Sequence, residues 1–325
     1  MRKALVVGIN DYPKAPLFGC VNDATAIANV LATHSNGDPN FSVMPRLSPG
    51  QSITRSSLRQ AIEELFSGDP DIALLYFSGH GHLNSLGGYV VTSDFESYDE
   101  GVSMDDLLKY AANSKAKEKV IILDCCHSGA CGSPNIAGGN AMLCEGLSIL
   151  TACRDIEPAI EKGGSGIFTS LVVSALQGGA SDLTGHITPG SIYAYVDQAL
   201  GPWHQRPIFK TNVSRFTSLR RVSPNVPVEV LRKLAVYFVA PEDQFRLDPS
   251  YEFTNSNDQP PIKVVPPEAD NEHVEVMKHL QSLARVGLVV PVDAEHMYFA
   301  AMESKACQLT ALGAHYWRLV KDKHI

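Results

Sequence analysis

Residues 119–129 read KVIILDCCHSG, a run of branched apolar side chains followed by a carboxylate, two cysteines and a histidine. Short apolar runs of this kind are typical of strands buried on both faces of a parallel sheet. Because side chains alternate along a strand, we expect Asp124 and Cys126 to face one way and Cys125 the other. The pattern predicts that Cys125 is buried as a small hydrophobic residue and that its neighbour is presented.

Similar apolar runs alternate with helical patterns through the first two thirds of the chain. The predicted strands cover 4–9, 72–77, 89–91, 120–124 and 147–152, followed by a late strand at 206–210. The predicted helices cover 22–34, 54–66, 103–112, 168–179 and 191–200. This alternation predicts an α/β fold with a mostly parallel sheet flanked by helices.

The composition of the chain changes near residue 223, which predicts two domains, 1–222 and 223–325. The second contains a helix, short apolar strands and a final amphipathic helix, a pattern that favours a smaller α+β fold of winged-helix-like type. Its ten Lys and Arg against fourteen Asp and Glu give a net charge of −4. That acidic balance favours contact with a protein over reading of DNA.

Charge and hydropathy exclude several classes of protein. The 325 residues carry a net charge of −8 at pH 7, which disfavours binding to phosphate backbones. No run reaches the ~20 apolar residues that a bilayer crossing needs, and the apolar run at 4–9 is too short for an export signal. Seven irregularly spaced cysteines suit a reducing compartment. The sequence therefore predicts a cytoplasmic protein whose partners include neither membrane nor nucleic acid.

A second segment that contains a candidate catalytic residue is YFSGHGH, residues 76–82, in which His80 follows a predicted strand. Carboxyl ends of parallel strands meet at one edge of an open α/β sheet, so His80 and Cys126 can meet there. A nearby imidazole activates a thiol by taking its proton. His127 is adjacent to Cys126 in the chain, and adjacent side chains diverge, so the base is expected from elsewhere. If the thiolate attacks a substrate carbonyl, the backbone N–H groups of Gly81 and Cys126 are predicted to hold the oxyanion that forms.

The cysteine cluster also admits a zinc site as a second interpretation. Adjacent cysteines followed by a four-residue gap do not match the usual spacing of zinc ligands, and we expect no metal there. The side chains concerned are Cys125, Cys126, His127 and Cys131.

Together these segments resemble the caspase-like cysteine peptidases, and within them the metacaspases and prokaryotic caspase homologues. The resemblance covers roughly residues 1–215 and includes ALVVGINDYPKAPLFGCVNDATAIANVL at 4–31 and ILTACRDIEPAIEKGGSGIFTSLVVSAL at 149–176. Cys126 lies 46 residues after His80, close to the caspase spacing of about 50. The resemblance implies that Cys126 is the nucleophile and His80 the base of an intracellular endopeptidase. It also implies a role in regulated cell death or phage defence, under a regulatory protein or an activating protease.

The resemblance places Asp23 and Asp124 in the pocket for the residue before the cut. Two carboxylates in a partly buried pocket repel each other unless a cation joins them, so they favour arginine or lysine over aspartate. We therefore expect protein or peptide substrates that are cleaved after Arg or Lys. A second interpretation assigns Asp23 to stabilising a helix N-terminus.

Some metacaspases bind calcium, and the resemblance assigns the matching positions to Asp94, Asp105 and Asp106. Ser133 stands where those relatives have a further aspartate, so the ligand set is incomplete and no cofactor is predicted. Asp105 and Asp106 also fit the first turn of a helix that Ser103 caps.

Activation by self-cleavage is expected to differ from that of caspases, which are often cut in the linker that follows the nucleophile. No lysine or arginine occurs between Lys119 and Arg154, so an enzyme specific for basic residues cannot cut itself there. We expect activity without linker cleavage between 127 and 147. Basic residues near the domain junction offer another place for activating cleavage: Lys210, Arg215, Arg220 and Arg221.

Two functions outside catalysis stay open at this point. A catalytically silent caspase-fold scaffold would act through its C-terminal domain, although intact His80 and Cys126 argue against it. A winged-helix regulator would bind duplex DNA, which the acidic balance of residues 223–325 disfavours.

Overall fold

The computed structural model describes residues 1–96, 99–126, 131, 143–152, 161–162, 164–201, 206–214, 216–257 and 263–325. The chain forms two compact units, Met1–Ser223 and Pro224–Ile325. Among the described ranges, no helix is both long enough and apolar enough to cross a membrane.

The first unit contains the strands and helices of an α/β fold. Its strands are β1 (Arg2–Gly8), β2 (Ser42–Leu47), β3 (Ile72–Ser78), β4 (Gly81–Asn84), β5 (Gly87–Glu96), β6 (Asp99–Ser103), β7 (Glu118–Asp124), β8 (Leu147–Thr151), β9 (Glu161–Lys162), β10 (Ser165–Gly166), β11 (His186–Ile187), β12 (Ile208–Asn212) and β13 (Arg220–Arg221). Its helices are α1 (Cys20–Ala32), α2 (Arg55–Phe66), α3 (Met104–Asn113), α4 (Ile167–Ser174), which a π-helical turn at Ala175–Gly179 continues, and α5 (Pro189–Leu200).

Six strands form the central sheet in the order β12-β8-β7-β3-β1-β2, and only the edge strand β12 runs antiparallel to its neighbour. This confirms the predicted mostly parallel α/β sheet. Strand β7 is buried along nearly its whole length, as its continuous apolar run requires. The register pairs Ser78 of β3 with Asp124 of β7, so the carboxyl ends of these two strands lie side by side.

The two faces of the sheet carry separate hydrophobic cores. Alternate residues of β3 and β7, such as Tyr76 and Ile122, pack with α1, α4 and α5. The intervening residues, such as Phe77 and Leu123, pack with α2 and α3. Burying each large apolar side chain stabilises the fold by about 1.5–3 kcal/mol, so both helix layers are held firmly against the sheet.

One strand prediction was wrong, and one strand was missed. Residues 89–91 belong to β5, which lies in a separate antiparallel sheet of order β4-β5-β6, because the turn between Asn84 and Gly87 folds the chain back as a hairpin. Strand β2 was not predicted, because it is a half-exposed edge strand that contains Pro45 and lacks a continuous apolar run.

The second unit is a small α+β arrangement. Its strands β14 (Gln244–Arg246), β15 (Val289–Val292) and β16 (Ala306–Leu309) form an antiparallel sheet of order β14-β16-β15. Its helices are α6 (Val228–Arg232), α7 (Leu234–Tyr237), α8 (Asn271–Arg285), α9 (Met297–Met302) and α10 (Ala311–Lys321), with a 3-10 turn at Pro249–Tyr251. The winged-helix-like character of this unit stays a prediction.

Candidate active site

The ends of β3 and β7 bring the two chemistry-bearing segments together. The Gly79 N–H donates to the Asp124 carbonyl oxygen at 3.4 Å. Gly81 packs so closely on Cys126 that a methyl group at position 81 would overlap the Cys126 carbonyl oxygen. Only glycine fits such a contact, which brings the backbone that follows His80 against the backbone of Cys126.

The vicinal cysteines have different surroundings, as the strand alternation predicts. Cys125 is 1% exposed and belongs to the core beneath α2 and α3. Cys126 is partly exposed at the strand end. The structure therefore confirms Cys125 as a core residue and Cys126 as the more exposed of the two thiols.

The zinc interpretation of the cysteine cluster gains no support from the described residues. Cys131 is fully buried, and this burial raises the pKa of its thiol to about 12. No group of three or more His, Cys, Asp or Glu side chains in the described ranges could hold a metal ion. His127 lies outside the described residues.

The loop after β1 orients the imidazole of His80. Its Nε2 lies 2.7 Å from the carbonyl oxygen of Ala15. A carbonyl oxygen can only accept a hydrogen bond, so Nε2 carries the proton and donates it. In the neutral ring Nδ1 is then the nitrogen with a lone pair, which is the form a general base needs.

Tyr12 contacts the same histidine through a hydrogen bond and through its ring. Its hydroxyl accepts the backbone N–H of His80 at 3.0 Å and donates to the Val91 carbonyl at 3.1 Å. The two rings lie 4.6 Å apart, centroid to centroid. Burial raises the pKa of the Tyr12 phenol far above its usual value, so the hydroxyl stays protonated and keeps both bonds.

Asp23 and Asp124 converge on one residue, Gly166, although they are distant in sequence. Asp23 lies in the first turn of α1, and its carboxylate accepts the Gly166 N–H at 3.0 Å through Oδ2. A Cβ atom at position 166 would come within 2.5 Å of the Asp124 carboxylate and 3.2 Å of the Asp23 carboxylate. Both are buried, at 3% and 6% exposure, so the structure forms one acidic site from the two predicted residues.

A chain of hydroxyl groups fixes the Asp124 carboxylate. Thr169 in α4 donates to its Oδ2 at 2.7 Å, and the Tyr76 hydroxyl lies 2.5 Å from the same Thr169 oxygen. Burial and the two nearby carboxylates hold the pKa of Tyr76 well above its usual value, so Tyr76 stays a neutral donor. Bonds of this kind help a buried carboxylate stay charged.

Several of these supporting residues could not be identified from the sequence. Tyr12, Tyr76 and Thr169 look like core or helix-forming residues when the chain is read alone, and Ala15 acts only through its backbone. The feature of the sequence that comes nearest to indicating such a role is the position of Tyr12 in the loop that follows the first strand.

The calcium candidate Asp94 already has donors. Its Oδ1 accepts the Thr92 hydroxyl at 2.6 Å and the backbone N–H of Arg55 at 3.0 Å. Because Arg55 is the first residue of α2, Asp94 supports that helix N-terminus.

The candidates Asp105 and Asp106 lie in the first turn of α3, whose cap is Ser103. Asp106 forms ion pairs with Arg59 at 2.8 Å and Lys109 at 3.2 Å. These contacts support the helix-end interpretation, while Ser133 lies outside the described residues. The prediction that the calcium site is incomplete stays a prediction.

The basic residues proposed for activating cleavage are mostly held in strands. Lys210 lies in β12 and donates to the Cys131 carbonyl at 2.7 Å. Arg220 and Arg221 form β13, which pairs with β11. Because a protease needs an unpaired, extended segment, the structure disfavours cleavage at these three. Arg215 lies outside the described residues, as does most of the linker between 127 and 147.

Comparison with known proteins identifies the family. The model of the caspase domain family, Peptidase C14, matches residues 1–218. Protein GSU0716 from Geobacter sulfurreducens has a similar solved structure, with a TM-score of 0.50, 19% identity, and coverage of 68% of this chain and 97% of that one. Caspase-1 from Spodoptera frugiperda matches with a TM-score of 0.49, 13% identity, and coverage of 68% and 90%. No curated relative matches the sequence. At 19% identity the Geobacter structure bears on the fold alone, whereas the family match covers most of the chain. The chain therefore belongs to the caspase domain family of cysteine peptidases and acts on protein substrates.

Proposed function

We propose that this protein is an endopeptidase that cleaves after arginine or lysine, with Cys126 as nucleophile and His80 as general base. The observation that carries the proposal is the junction of β3 and β7, where Gly81 packs on Cys126. The acidic site of Asp23 and Asp124 lies at the same strand end, because Asp124 is two residues before the nucleophile.

The acylation step follows from these positions. The imidazole of His80 accepts the thiol proton at Nδ1, and the Cys126 sulfur attacks the carbonyl carbon of the scissile bond. The negative charge that develops on the carbonyl oxygen is stabilised by backbone N–H groups, for which Gly81 and Cys126 are our candidates. The imidazolium then gives its proton to the leaving nitrogen, the C–N bond breaks, and a thioester remains.

Deacylation uses the same groups in reverse order. His80 takes a proton from water, the hydroxide attacks the thioester carbon, and the C–S bond breaks. The sulfur leaves as the thiolate, which recovers the proton from His80. The hydrogen bond from Nε2 to Ala15 keeps the ring in one tautomer throughout.

Specificity for a basic side chain rests on charge. Asp23 and Asp124 are two like charges beside one another in a desolvated site, an arrangement that a cation relieves. An aspartate before the cut would add a third negative charge there. We therefore infer a preference for Arg or Lys over Asp of several orders of magnitude, since like-charge contacts cost several kcal/mol.

The wider role is also part of the proposal. The resemblance to metacaspases and prokaryotic caspase homologues supports a cytoplasmic protease of regulated cell death or phage defence. The second unit, with its acidic balance, would either bind a regulatory protein or control access to the site.

Matched peptides test the proposal. Wild-type protein is incubated with fluorogenic peptides that differ only in having Arg, Lys or Asp before the cut, with calcium and with a chelator. The Cys126→Ala variant should lose cleavage after Arg and Lys entirely. The Cys125→Ala variant is the matched control, because it removes the adjacent thiol from the core and should keep most of the activity.

Three results would overturn the proposal. The first is cleavage after Asp that equals cleavage after Arg. The second is activity that survives Cys126→Ala. The third is the absence of Cys126-dependent cleavage of every peptide under both conditions, which would favour a caspase-fold scaffold that acts through its second unit.

A further inference from the structure

A cavity of about 240 Å³ opens beside the imidazole of His80. Its floor is formed by the loop after β1, and its wall by the hairpin of β4 and β5. Most of its lining is apolar, and besides the His80 imidazole it includes the polar side chains of Lys14 and His82. The apolar lining residues used below are Tyr12, Pro13, Val91 and Phe95, and the polar ones are Lys14 and His82.

The cavity and the acidic site lie on opposite faces of the central sheet. Asp124 contacts Thr169 of α4, on the face that α1, α4 and α5 cover. Tyr12 and Val91 belong to the core on the other face, beneath α2 and α3. His80 and Cys126 lie at the carboxyl edge of the sheet, between the two.

This arrangement fixes the direction of a bound substrate, given the proposed function. A basic side chain that enters the site of Asp23 and Asp124 brings its own carbonyl carbon to Cys126. The nitrogen that leaves must contact His80, because the imidazolium protonates it. The chain that follows the cut therefore continues past His80, on the side where the cavity opens.

We propose that this cavity binds the side chain of the first residue after the cut and selects a large apolar one, such as leucine or phenylalanine. The inference rests on the proposed peptidase function and deepens it. The volume is below the ~300 Å³ at which small-molecule pockets begin, so it suits a side chain better than a separate ligand.

The lining also says which residues are disfavoured. The ring of Phe95, 38% exposed, offers apolar surface that glycine cannot use. Lys14 lies in the lining, so a lysine or arginine after the cut would meet a like charge. Phe95 is therefore assigned as a residue that determines specificity.

Internally quenched peptides with a fixed arginine before the cut test this assignment. The residue after the cut is Leu, Phe, Gly or Lys, and kcat/KM is measured for each. We expect Leu and Phe to exceed Gly and Lys by at least about 10-fold. Phe95→Ala should remove most of this preference. The preference is measured as the ratio of kcat/KM for the Leu peptide to kcat/KM for the Gly peptide, so that a general loss of activity affects both values equally.

Phe216→Ala is the matched control. Phe216 is 39% exposed, lies in the same unit and does not line this cavity, so its variant should keep the full preference. Equal rates for Leu and Gly peptides, faster cleavage before Lys, or an unchanged preference in Phe95→Ala would overturn the assignment while leaving the peptidase function intact. Absence of Cys126-dependent cleavage of all four peptides would overturn the peptidase function, and the assignment with it.

Discussion

Tyr12 contacts His80 twice, through a hydrogen bond from the His80 N–H to the Tyr12 hydroxyl and through packing of the two rings. The same hydroxyl donates to Val91 in the neighbouring hairpin. One buried phenol therefore ties the β1 loop, the end of β3 and β5 together around the imidazole.

Tyr12→Phe keeps the ring and removes both hydrogen bonds. We expect kcat to fall about 10-fold with little change in KM, because the imidazole loses its alignment while the acidic site is untouched. The free energy of unfolding should fall by about 1–3 kcal/mol, since two buried partners lose their bond. Steady-state kinetics and urea denaturation check this. A variant with unchanged kcat, or one with an altered KM alone, would show that Tyr12 does not position His80.

Asp23→Asn removes one of two adjacent negative charges and keeps an oxygen that can accept the Gly166 N–H. We expect kcat/KM for an arginine peptide to fall about 100-fold, since one partner of a buried charge pair is lost. The unfolding temperature of the free enzyme should stay the same or rise, because like charges in a buried site repel each other. Kinetics and thermal denaturation check both. A drop in unfolding temperature without a change in kcat/KM would mean that Asp23 only supports the α1 N-terminus.

Gly81→Ala places a methyl group where the Cys126 carbonyl oxygen lies. We expect loss of detectable peptide cleavage and a stability loss of about 1–3 kcal/mol, because the backbones of β4 and Cys126 must separate. Gly50→Ala is the control, since a Cβ there meets only the Leu47 carbonyl oxygen at an ordinary 3.5 Å. Activity in Gly81→Ala close to that of Gly50→Ala would contradict the contact.

The thiols should differ sharply in reactivity. Burial raises the pKa of Cys131 to about 12, so at pH 8 this thiol is protonated and unreactive. Cys125 is also buried, whereas Cys126 is partly exposed. Brief treatment of the native protein with iodoacetamide, followed by peptide mapping, should modify Cys126 and spare the other two. Equal labelling of the two vicinal cysteines would contradict the strand-end geometry.

Much of the site could be predicted because it depends on strand periodicity. The alternation that sends Cys125 into one core and Asp124 toward α4 follows from the pleat. The contacts of Gly79 with Asp124 and of Gly81 with Cys126 follow from parallel strands that share an edge. The family resemblance placed Asp23 and Asp124 in one pocket, and the structure adds the contact of both carboxylates with Gly166.

The supporting contacts could not be predicted, because they depend on where loops fold back. Nothing in the order of residues tells that Tyr12 reaches Val91, which is 79 positions away, or that the Ala15 carbonyl orients His80. The run at 89–91 was assigned to the wrong sheet for a similar reason: three apolar residues fit a parallel strand and a hairpin equally well.

In the proposed reaction one thiol, that of Cys126, attacks a carbonyl next to a basic side chain held by Asp23 and Asp124. The most direct measurement treats the intact protein with an arginine-containing peptide that carries a thiol-reactive ketone and maps the adduct by mass spectrometry. We expect one adduct, on Cys126, which is abolished by Cys126→Ala and by excess arginine peptide. A matched aspartate reagent should not form it. An adduct on another cysteine, or equal labelling by the aspartate reagent, would contradict it.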